Sequence, residues 1–363
     1  MLVMSDMLRL DETGPVLVVG GYGTVGAELA AMAAPRWPLL LTGRSPQRGR
    51  AVADSLGAEV RRWDLADPEG FSASVRAVVS AVNDPDDRVL RAALAAGVPY
   101  VDITRWTTRL QRAATVAAMA GPDAPVLLSS GWMGGVTSLV AAALAAELGG
   151  ADRVEVAIRW DLADRAGADS VEFMDRLGLD YEVVEEGRRR LVMPLTDTRR
   201  VQIGDTMTCV ARIDTPEQFT LPLALGATTA TTRIGFSSTA TTSALLAVKG
   251  TGLFRWGRGE RFAALRRALL YSPGNGGTAR VRVDVAHGDR SAAATVSDPR
   301  GQAHLTAVGA LAGLSRVLGA DGAPAPRGVV FPEMTPRPAQ VLDMLKETDV
   351  MVLRHLTTVR RVA

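Results

Sequence analysis

The first 150 residues repeat one pattern of hydrophobic and polar positions. Short apolar runs are each followed by a glycine-rich or polar turn, and then by a stretch with small apolar residues at helical spacing. The runs predict six buried strands, at residues 16–19, 39–42, 59–63, 77–82, 100–104 and 126–129. Strands that alternate with helices in this way predict an α/β domain with a doubly wound parallel sheet.

The pattern changes after Gly150, where apolar and polar residues begin to alternate. Alternation predicts half-buried strands of a mixed or antiparallel sheet. The predicted strands cover residues 154–158, 207–213, 219–225, 232–238, 281–285 and 292–296. Helical spacing predicts intervening helices at 171–177, 243–253 and 260–271, and C-terminal helices at 303–318 and 338–346.

These patterns divide the chain into three segments. Residues 1–135 are predicted to form the domain with the parallel sheet, residues 136–300 a second α+β domain, and residues 301–363 C-terminal helices. The helix predicted at 260–271 is basic. Its arginines are predicted to bind a membrane surface or an acidic partner. The alternative is that they form a solvated helix face at the edge of the domain.

The first strand runs directly into a glycine-rich turn and a helix. This order of strand, turn and helix is the context in which the spacing Gly-x-Gly-x-x-Gly indicates a Rossmann domain that binds a dinucleotide. Gly21 permits the tight turn, and Gly23 lets the backbone come close to a pyrophosphate. Gly26 lets the helix pack on the strand. The amides of the helix N-terminus then face the phosphates. The residues predicted to bind the cofactor here are Gly20, Gly21, Tyr22, Gly23, Thr24, Val25 and Gly26.

The turn after the second strand indicates which dinucleotide binds. NAD enzymes place an acidic residue there for the ribose hydroxyl, whereas this chain has Arg44 and Ser45, with Arg48 close behind. A guanidinium binds a phosphate in bidentate fashion, and no carboxylate stands beside these residues to repel it. The sequence therefore predicts NADP as the cofactor, with two solvated arginines as the alternative interpretation.

Later strand ends add candidates for the same cofactor. Asp64 and Leu65 follow the third strand, where an adenine ring commonly lies, although Asp64 fits equally well as a helix cap. Ala81, Val82 and Asn83 end the fourth strand. Asn83 is predicted to lie near the nicotinamide ribose or, as the alternative, to form the turn of Asn-Asp-Pro.

Composition narrows the class of protein. The chain has 41 basic and 39 acidic residues, a net charge of +2, so no nucleic-acid partner is implied. Cys209 is the only cysteine, which excludes an internal disulfide and a cysteine-rich metal site and fits the cytoplasm. The N-terminus lacks the order of a signal peptide. The uncharged stretch 124–146 is interrupted by proline and glycines, which argues against a membrane span.

Several motifs taken together resemble the saccharopine dehydrogenase-like family. They are GGYGTVG, the GRS after the second strand, PYVDIT, the SSGW turn that opens a helix, and a C-terminal helix near Thr306. The resemblance implies a Rossmann domain, an inserted α/β domain that binds substrate and often dimerises, and C-terminal helices that pack back on the first domain. It further implies NAD(P)-dependent reduction of an imine or the reverse oxidation. By position, Gly21, Gly23 and Gly26 match the phosphate turn, and Asp102 with Thr104 matches the fifth-strand end.

The candidate chemical groups lie at strand ends, where an open parallel sheet binds ligands. The predicted catalytic residues are Tyr100, Asp102 and Thr104, and the predicted substrate-binding residues are Arg105, Trp106, Ser130, Trp132 and Met133. Asp102 is predicted either to stabilise the charge of an iminium or to cap the next turn. Arg105 is predicted either to bind a carboxylate of the substrate or to form a surface ion pair. The three histidines stand apart from possible co-ligands, so no metal site is predicted.

The sequence leaves three functions open for a small-molecule substrate. One is NADPH-dependent reduction of a C=N bond, favoured because an iminium already carries the charge that attracts hydride. The others are reduction of C=C or C=O on the same scaffold, and NADPH binding without catalysis. The alternating strands of the second domain would leave a sheet edge or face uncovered, which predicts a homodimer.

Overall fold

The computed structural model of the protein describes residues 6–164, 176–238, 242, 274 and 276–358. The helices predicted at 243–253 and 260–271, and most of the one at 171–177, lie outside these residues. The chain divides into two compact units. The first unit is Met1–Gly135 with Thr306–Pro332, and the second unit is Val136–Leu305 with Glu333–Ala363.

The first unit is built on a seven-stranded sheet in which all neighbours are parallel. Its strands in sheet order are β17 (Gly328–Val330), β8 (Pro125–Leu128), β7 (Tyr100–Asp102), β6 (Ala77–Ser80), β2 (Val16–Val19), β3 (Leu39–Gly43) and β4 (Glu59–Arg62). The chain order reverses between β2 and β6, which makes their carboxyl ends the expected ligand crevice. A separate parallel pair joins β1 (Met7–Leu10) to β5 (Ser72–Val75).

Helices bury the apolar residues of this sheet. They are α1 (Thr24–Ala33), α2 (Pro46–Leu56), α3 (Arg88–Ala95), α4 (Thr107–Ala120) and, from the C-terminal part of the chain, α7 (Gln302–Val317). Leu314 of α7 shares one core with Val18 and Leu41 of the sheet, and all three are fully buried. The core of this unit therefore uses two distant parts of the chain.

The second unit contains a mixed seven-stranded sheet. Its order is β12 (Arg199–Ile203), β13 (Thr206–Arg212), β14 (Thr229–Phe236), β9 (Arg153–Trp160), β15 (Ala279–His287), β16 (Arg290–Asp298) and β18 (Met351–Thr358). Only β14 and β9 are parallel neighbours within it. The described part of this unit also contains a hairpin of β10 (Tyr181–Glu185) and β11 (Arg188–Val192), and the helices α5 (Thr137–Leu148), α6 (Glu217–Leu225) and α8 (Val341–Glu347). The predicted fold class, a parallel Rossmann sheet with a second mixed sheet, is confirmed.

Two parts of the chain differ from the sequence prediction. Residues 219–225 were predicted as a strand but belong to helix α6, because the buried face of that helix starts with Glu217, Gln218 and Thr220, which a search for apolar periodicity overlooks. The segment 301–363 was predicted to be helices packing on the first domain. Instead it is shared, since α7 and β17 contribute to the first unit and β18 pairs with β16 in the second.

Candidate functional site

The glycine-rich turn after β2 is shaped by close packing. Gly20 has φ +82°, so the left-handed residue of the turn is Gly20. A Cβ on Gly21 would lie 2.8 Å from Leu41 Cδ2, and one on Gly26 would lie 2.0 Å from the Gly20 carbonyl oxygen. Only glycine fits at these positions, because backbone and a buried side chain occupy the space.

Gly23 differs from its neighbours in the turn. It is exposed, and a Cβ there would meet only the Gly20 oxygen, at 3.3 Å. Gly23 is also the residue before α1, and no side chain caps that helix. The missing side chain at Gly23 therefore opens the approach to amides with a partial positive charge, which is what a pyrophosphate requires. These residues fit a dinucleotide.

Tyr22 joins the turn to the loop after β3. Its hydroxyl accepts a hydrogen bond of 3.0 Å from the amide of Ser45. A Cβ on Gly43 would lie 2.4 Å from the Tyr22 hydroxyl oxygen, and one on Gly49 would lie 2.4 Å from Tyr22 Cδ1. The phenol thus fills the space above two glycines and fixes the loop that carries Arg44. Arg44 and Arg48 are exposed and Ser45 is half-buried.

Arg88, at the start of α3, holds the loop after β4. Its guanidinium donates to the carbonyl oxygens of Asp64 and Leu65, both at 3.2 Å, and to the Asp6 carboxylate at 2.6 Å. Further donations reach the carbonyl oxygens of Asp67 and Glu69. The Asp64 carboxylate accepts from the amide of Ala66 at 3.2 Å, which closes a local turn. Sequence reasoning missed Arg88, because its partners are carbonyl groups of a distant loop.

The end of β6 lies beside the glycine-rich turn. A Cβ on Gly20 would lie 2.4 Å from Val82 Cγ1, and the amide of Ala81 donates to the Val19 carbonyl at 2.9 Å. The next residue, Asn83, is exposed. The structure therefore brings the predicted residues Ala81 to Asn83 next to the predicted phosphate turn.

Arg109 on α4 is a second residue that the sequence analysis missed. Its guanidinium donates to the Asn83 side-chain oxygen and stacks on the Trp106 ring, 4.1 Å from the ring centroid. The Trp106 indole in turn donates to Thr108 Oγ1 at 2.9 Å. These residues form a polar and aromatic surface at the carboxyl ends of β6 and β7. The spacing Trp106 to Arg109, one helical turn, was the available signal.

Asp102 lies at the centre of a buried ionic network with Tyr100, Arg105 and Asp87, called here the Asp102 network. One carboxylate oxygen accepts from the Thr104 amide at 2.9 Å and the Thr104 hydroxyl at 2.8 Å. The other accepts from the Tyr100 hydroxyl at 2.5 Å and from Arg105 Nε at 2.7 Å. Arg105 also donates to Asp87. The four residues of the network are at most 1 % exposed.

The electrostatics of this network keep Tyr100 and Arg105 in their protonated forms. Burial first, and then the charge of Asp102, raise the pKa of Tyr100 well above its usual value of 10. Burial alone would lower the pKa of Arg105, but the charge of Asp102 holds it above its ordinary value. The Asp102 carboxylate accepts four hydrogen bonds within the first unit. The predicted roles of Tyr100 and Asp102 as groups facing a substrate, and of Arg105 as a clamp, do not fit their complete burial, which favours positioning roles.

The remaining predicted substrate residues follow β8. Ser130 is half-buried and its backbone bridges to that of Thr104. Trp132 is 4 % exposed, so its indole belongs to the interior, and Met133 is half-buried. Gly131 and Gly134 have φ of +62° and +72°, which turns the chain sharply on either side of them.

Two further observations concern the described residues. Within them, no group of three or more histidine, cysteine, aspartate or glutamate side chains could hold a metal ion. Across the same ranges, no helix is both long and apolar enough to cross a bilayer.

No protein-family model matches the chain, and a search of curated proteins found no match. Solved structures do match. Saccharopine dehydrogenase (L-Glu forming) from Saccharomyces cerevisiae is 12% identical with a TM-score of 0.65, and the match covers 95% of this chain and 100% of that one. Scyllo-inositol dehydrogenase from Lactobacillus casei, with bound NAD(H), is 11% identical over 94% and 99% of the two chains, with a TM-score of 0.43.

A third match is the DAP dehydrogenase of C. glutamicum, at 14% identity and a TM-score of 0.42, over 95% of this chain and 100% of that one. The agreement with the yeast enzyme extends over nearly all of both chains, so it includes both units and not the nucleotide half alone. The order of elements, the parallel and mixed sheets and this similarity establish that the chain has the saccharopine dehydrogenase-like fold.

Proposed function

We propose that the protein is an NADPH-dependent oxidoreductase that reduces a C=N bond of a small amine-bearing substrate. The observation that carries the dinucleotide part is the exposed Gly23 before the uncapped N-terminus of α1. Gly21 and Gly26 are explained by severe clashes inside the chain, whereas a Cβ on Gly23 would make a single close contact, 3.3 Å from the Gly20 carbonyl oxygen. An approaching phosphate adds a further reason for glycine at this exposed position.

The preference for NADPH rests on the loop after β3. Tyr22 fixes the backbone of Ser45, and exposed Arg44 and Arg48 flank it without an ion pair to a described carboxylate. A guanidinium on this fixed loop (Arg44) and a second in the first turn of α2 (Arg48) favour a 2′-phosphate over a free hydroxyl.

A direct test is the affinity for both dinucleotides, measured by fluorescence titration. We expect NADPH to bind at least about ten-fold more tightly than NADH, which is about 1.4 kcal/mol. Arg44→Asp should reverse most of this difference, while Arg36→Asp, an exposed arginine of another loop, should leave it intact. Equal affinities in the unchanged protein would overturn the assignment to NADP.

The proposed reaction follows from the proton donors at the strand ends. The Tyr100 hydroxyl proton is engaged by Asp102, and burial raises the pKa of this phenol. A ketone needs a proton for its developing oxyanion, whereas an iminium carries positive charge and needs none. The bound dinucleotide would supply the hydride. Residues of the chain would orient the substrate and exclude water.

We assign two sets of roles on the basis of exposure. The residues proposed to face the substrate are Asn83, Thr104, Trp106, Arg109, Ser130 and Met133. The buried residues Tyr100, Asp102, Arg105 and Trp132 are proposed to position them. Asp102 acts on Thr104 directly, because both Thr104 donors end on one of its oxygens.

The reaction is tested by following NADPH oxidation with pairs of an amine and a carbonyl compound. We expect oxidation that depends on the amine, and Thr104→Val should lower kcat more than it weakens NADPH binding. Oxidation by enones or ketones without any amine would favour the C=C or C=O alternative. NADPH binding without turnover of any class would favour a regulatory protein.

We also propose a homodimer that forms through the second unit. Its large sheet ends in β12 and β18, and each has a backbone edge that pairs with no other described strand. Leu353 and Met351 of β18 are among the exposed large apolar residues. Sedimentation at micromolar concentration should give twice the monomer mass. A monomer would contradict this part of the proposal.

A further inference from the structure

The N-terminal segment of the first unit is tied to the loop that follows β4. Strand β1 pairs in parallel with β5, and the amide of Met7 donates to the Phe71 carbonyl at 2.8 Å. Asp6 directly precedes β1, and its side chain is 7% exposed. The pair of β1 and β5 is separate from the seven-stranded sheet, so the contacts of this segment, and not the large sheet, indicate its role.

Asp6 and Arg88 form a bidentate ion pair. Arg88 Nε donates to Asp6 Oδ2 at 2.6 Å, and Arg88 Nη2 donates to Asp6 Oδ1 at 2.9 Å. The Arg88 side chain is 18% exposed, so most of the pair lies below the surface. Two such bonds fix the plane of a guanidinium, and burial protects the pair from screening by salt. The orientation of Arg88 therefore depends on Asp6.

The oriented guanidinium holds the backbone of the loop after β4, residues 64–69. It donates to four carbonyl oxygens of this loop, those of Asp64, Leu65, Asp67 and Glu69. Asp6 Oδ1 also accepts from the amide of Phe71 at 2.8 Å, just beyond the loop. The bonds of this one ion pair thus extend from the first residue of the loop to the second residue after its end.

We propose that Asp6, acting through Arg88, positions the loop after β4 for the adenosine half of the dinucleotide. This inference rests on the proposed function, in which the protein binds NADPH. It also rests on the place of Asp64 and Leu65 at the end of β4, where an adenine ring is expected. Arg88 bonds these two residues through their carbonyl oxygens, so it fixes their backbone without using their side chains. Asp6 and Arg88 are therefore positioning residues.

Holding the loop in one conformation strengthens binding because the ligand then has less backbone to order. When only a fraction of the molecules holds the binding conformation, the apparent affinity falls by that fraction. Asp6→Asn keeps the size of the side chain but removes its charge, and neutral hydrogen bonds are weaker than charge-assisted ones. We therefore expect this change to weaken the binding of the adenosine half.

The test is a titration of the full-length protein with two ligands. One is NADPH, and the other is adenosine 2′,5′-bisphosphate, which carries the adenine and the 2′-phosphate but no nicotinamide. NADPH binding is followed by fluorescence, and the bisphosphate by its displacement of NADPH. Asp6→Asn should weaken both ligands by the same factor, at least about five-fold. Should the protein bind NADH and not NADPH, ADP-ribose replaces the bisphosphate and the same factor is expected.

Two further variants separate positioning from a general loss of stability. Arg76→Met is the matched control, because Arg76 Nε holds the same N-terminal segment at the Gly14 carbonyl, at 2.6 Å. It should keep both affinities within about two-fold, even where it lowers the unfolding midpoint. Arg88→Lys serves if Asp6→Asn does not fold. It keeps a positive charge beside Asp6 but lacks the fork of donors, so it should weaken both ligands by a similar factor.

Three results would overturn this inference. Unchanged affinities in Asp6→Asn and Arg88→Lys would show that the ion pair only stabilises the fold, and the proposed function would stand without it. Weaker binding of NADPH but not of the bisphosphate, or an equal loss in Arg76→Met, would show that the effect does not act on the adenosine half through this loop. If the unchanged protein binds neither NADPH nor NADH, the proposed function and this inference both fail.

Discussion

The two units solve the burial of acidic side chains in opposite ways. In the Asp102 network, two aspartates surround a buried arginine, and Asp102 accepts four hydrogen bonds. A single atom of the network, Arg105 Nη2, lacks a partner. In the second unit, Glu217 and Glu333 are buried without an ion pair to a basic side chain of the described residues, and burial raises the pKa of each to about 7. The first arrangement pairs its acids with a buried cation, whereas the second favours their neutral forms.

The largest expected effect comes from removing the cation of the Asp102 network. Arg105→Leu removes the buried cation that Asp102 and Asp87 share, and should lower the free energy of unfolding by about 3–5 kcal/mol. Arg112→Leu is the matched control, because Arg112 contacts the same Asp87 but is 48% exposed in its side chain. It should cost less than about 1 kcal/mol in urea unfolding. Similar losses for both variants would show that burial is not what makes Arg105 important.

A third group of charged residues, around Asp197 in the second unit, is expected to make stability depend on pH. Asp197 contacts buried Arg233 at 2.5 Å and Arg212 at 2.9 Å, and despite partial burial these partners hold its pKa at about 2, below the usual 3.8. The stabilisation is therefore complete above pH 3.8 and is lost as the pH falls toward 2. Asp197→Asn should cost about 1 kcal/mol at neutral pH, because Asp197 is exposed and solvent screens its ion pairs, and it should flatten this acid dependence.

The measurement is urea unfolding across pH 2 to 6. Asp343→Asn, at an exposed ion pair, serves as the control and should keep the slope of the unchanged protein. An unaltered slope in Asp197→Asn would mean that other carboxylates set the acid stability.

A change of opposite sign is expected at Glu217, whose pKa burial raises to about 7. Above pH 7, Glu217→Gln should raise the free energy of unfolding by roughly 1–2 kcal/mol, because it removes a buried charge that has no basic partner among the described residues. Asp102→Asn under the same conditions should lower it, since Arg105 loses its partner. Chemical denaturation of both variants checks this contrast. A loss of stability in both variants would mean that the ionised form of Glu217 stabilises the fold, as that of Asp102 is expected to do.

The smallest expected effect concerns Tyr22, whose hydroxyl has one partner at the surface of the first unit. Tyr22→Phe removes the hydrogen bond to the Ser45 amide and keeps the ring over Gly43 and Gly49. We expect a loss of about 0.5–1.5 kcal/mol in stability and less than ten-fold in NADPH affinity. Calorimetric titration measures the second value. A larger loss of affinity would indicate that the hydroxyl contacts the dinucleotide.

Sequence reasoning recovered the parts of the fold that local pattern encodes. The strands of the parallel sheet up to Leu128 and the glycine-rich turn follow from apolar runs and glycine spacing. Strand β17 was missed because three residues are too few for a periodic signal, and α6 because its buried face is polar. The hairpin of β10 and β11 is rich in charged residues, so its sequence resembles a loop.

The candidate site was recovered as a set of neighbours, and less well as a set of roles. Strand-end position located Asp102 and Arg105 correctly on the chain, but burial and pairing depend on Asp87, which lies on another loop. The same holds for Arg88 and Arg109, whose partners are distant in sequence. Asp6 and Arg88 are 82 positions apart, so no local pattern could join them.

The packing of Tyr22 against two glycines restricts the order in which this loop can evolve. Gly43→Ala or Gly49→Ala would place a methyl group within 2.4 Å of a Tyr22 atom, so either change is incompatible with the phenol in its present place. A smaller residue at position 22 must therefore come first, and only then can positions 43 and 49 vary. The glycine-rich turn and the loop after β3 thus have to change together, and a turn grafted from a relative without its matching loop would not fit.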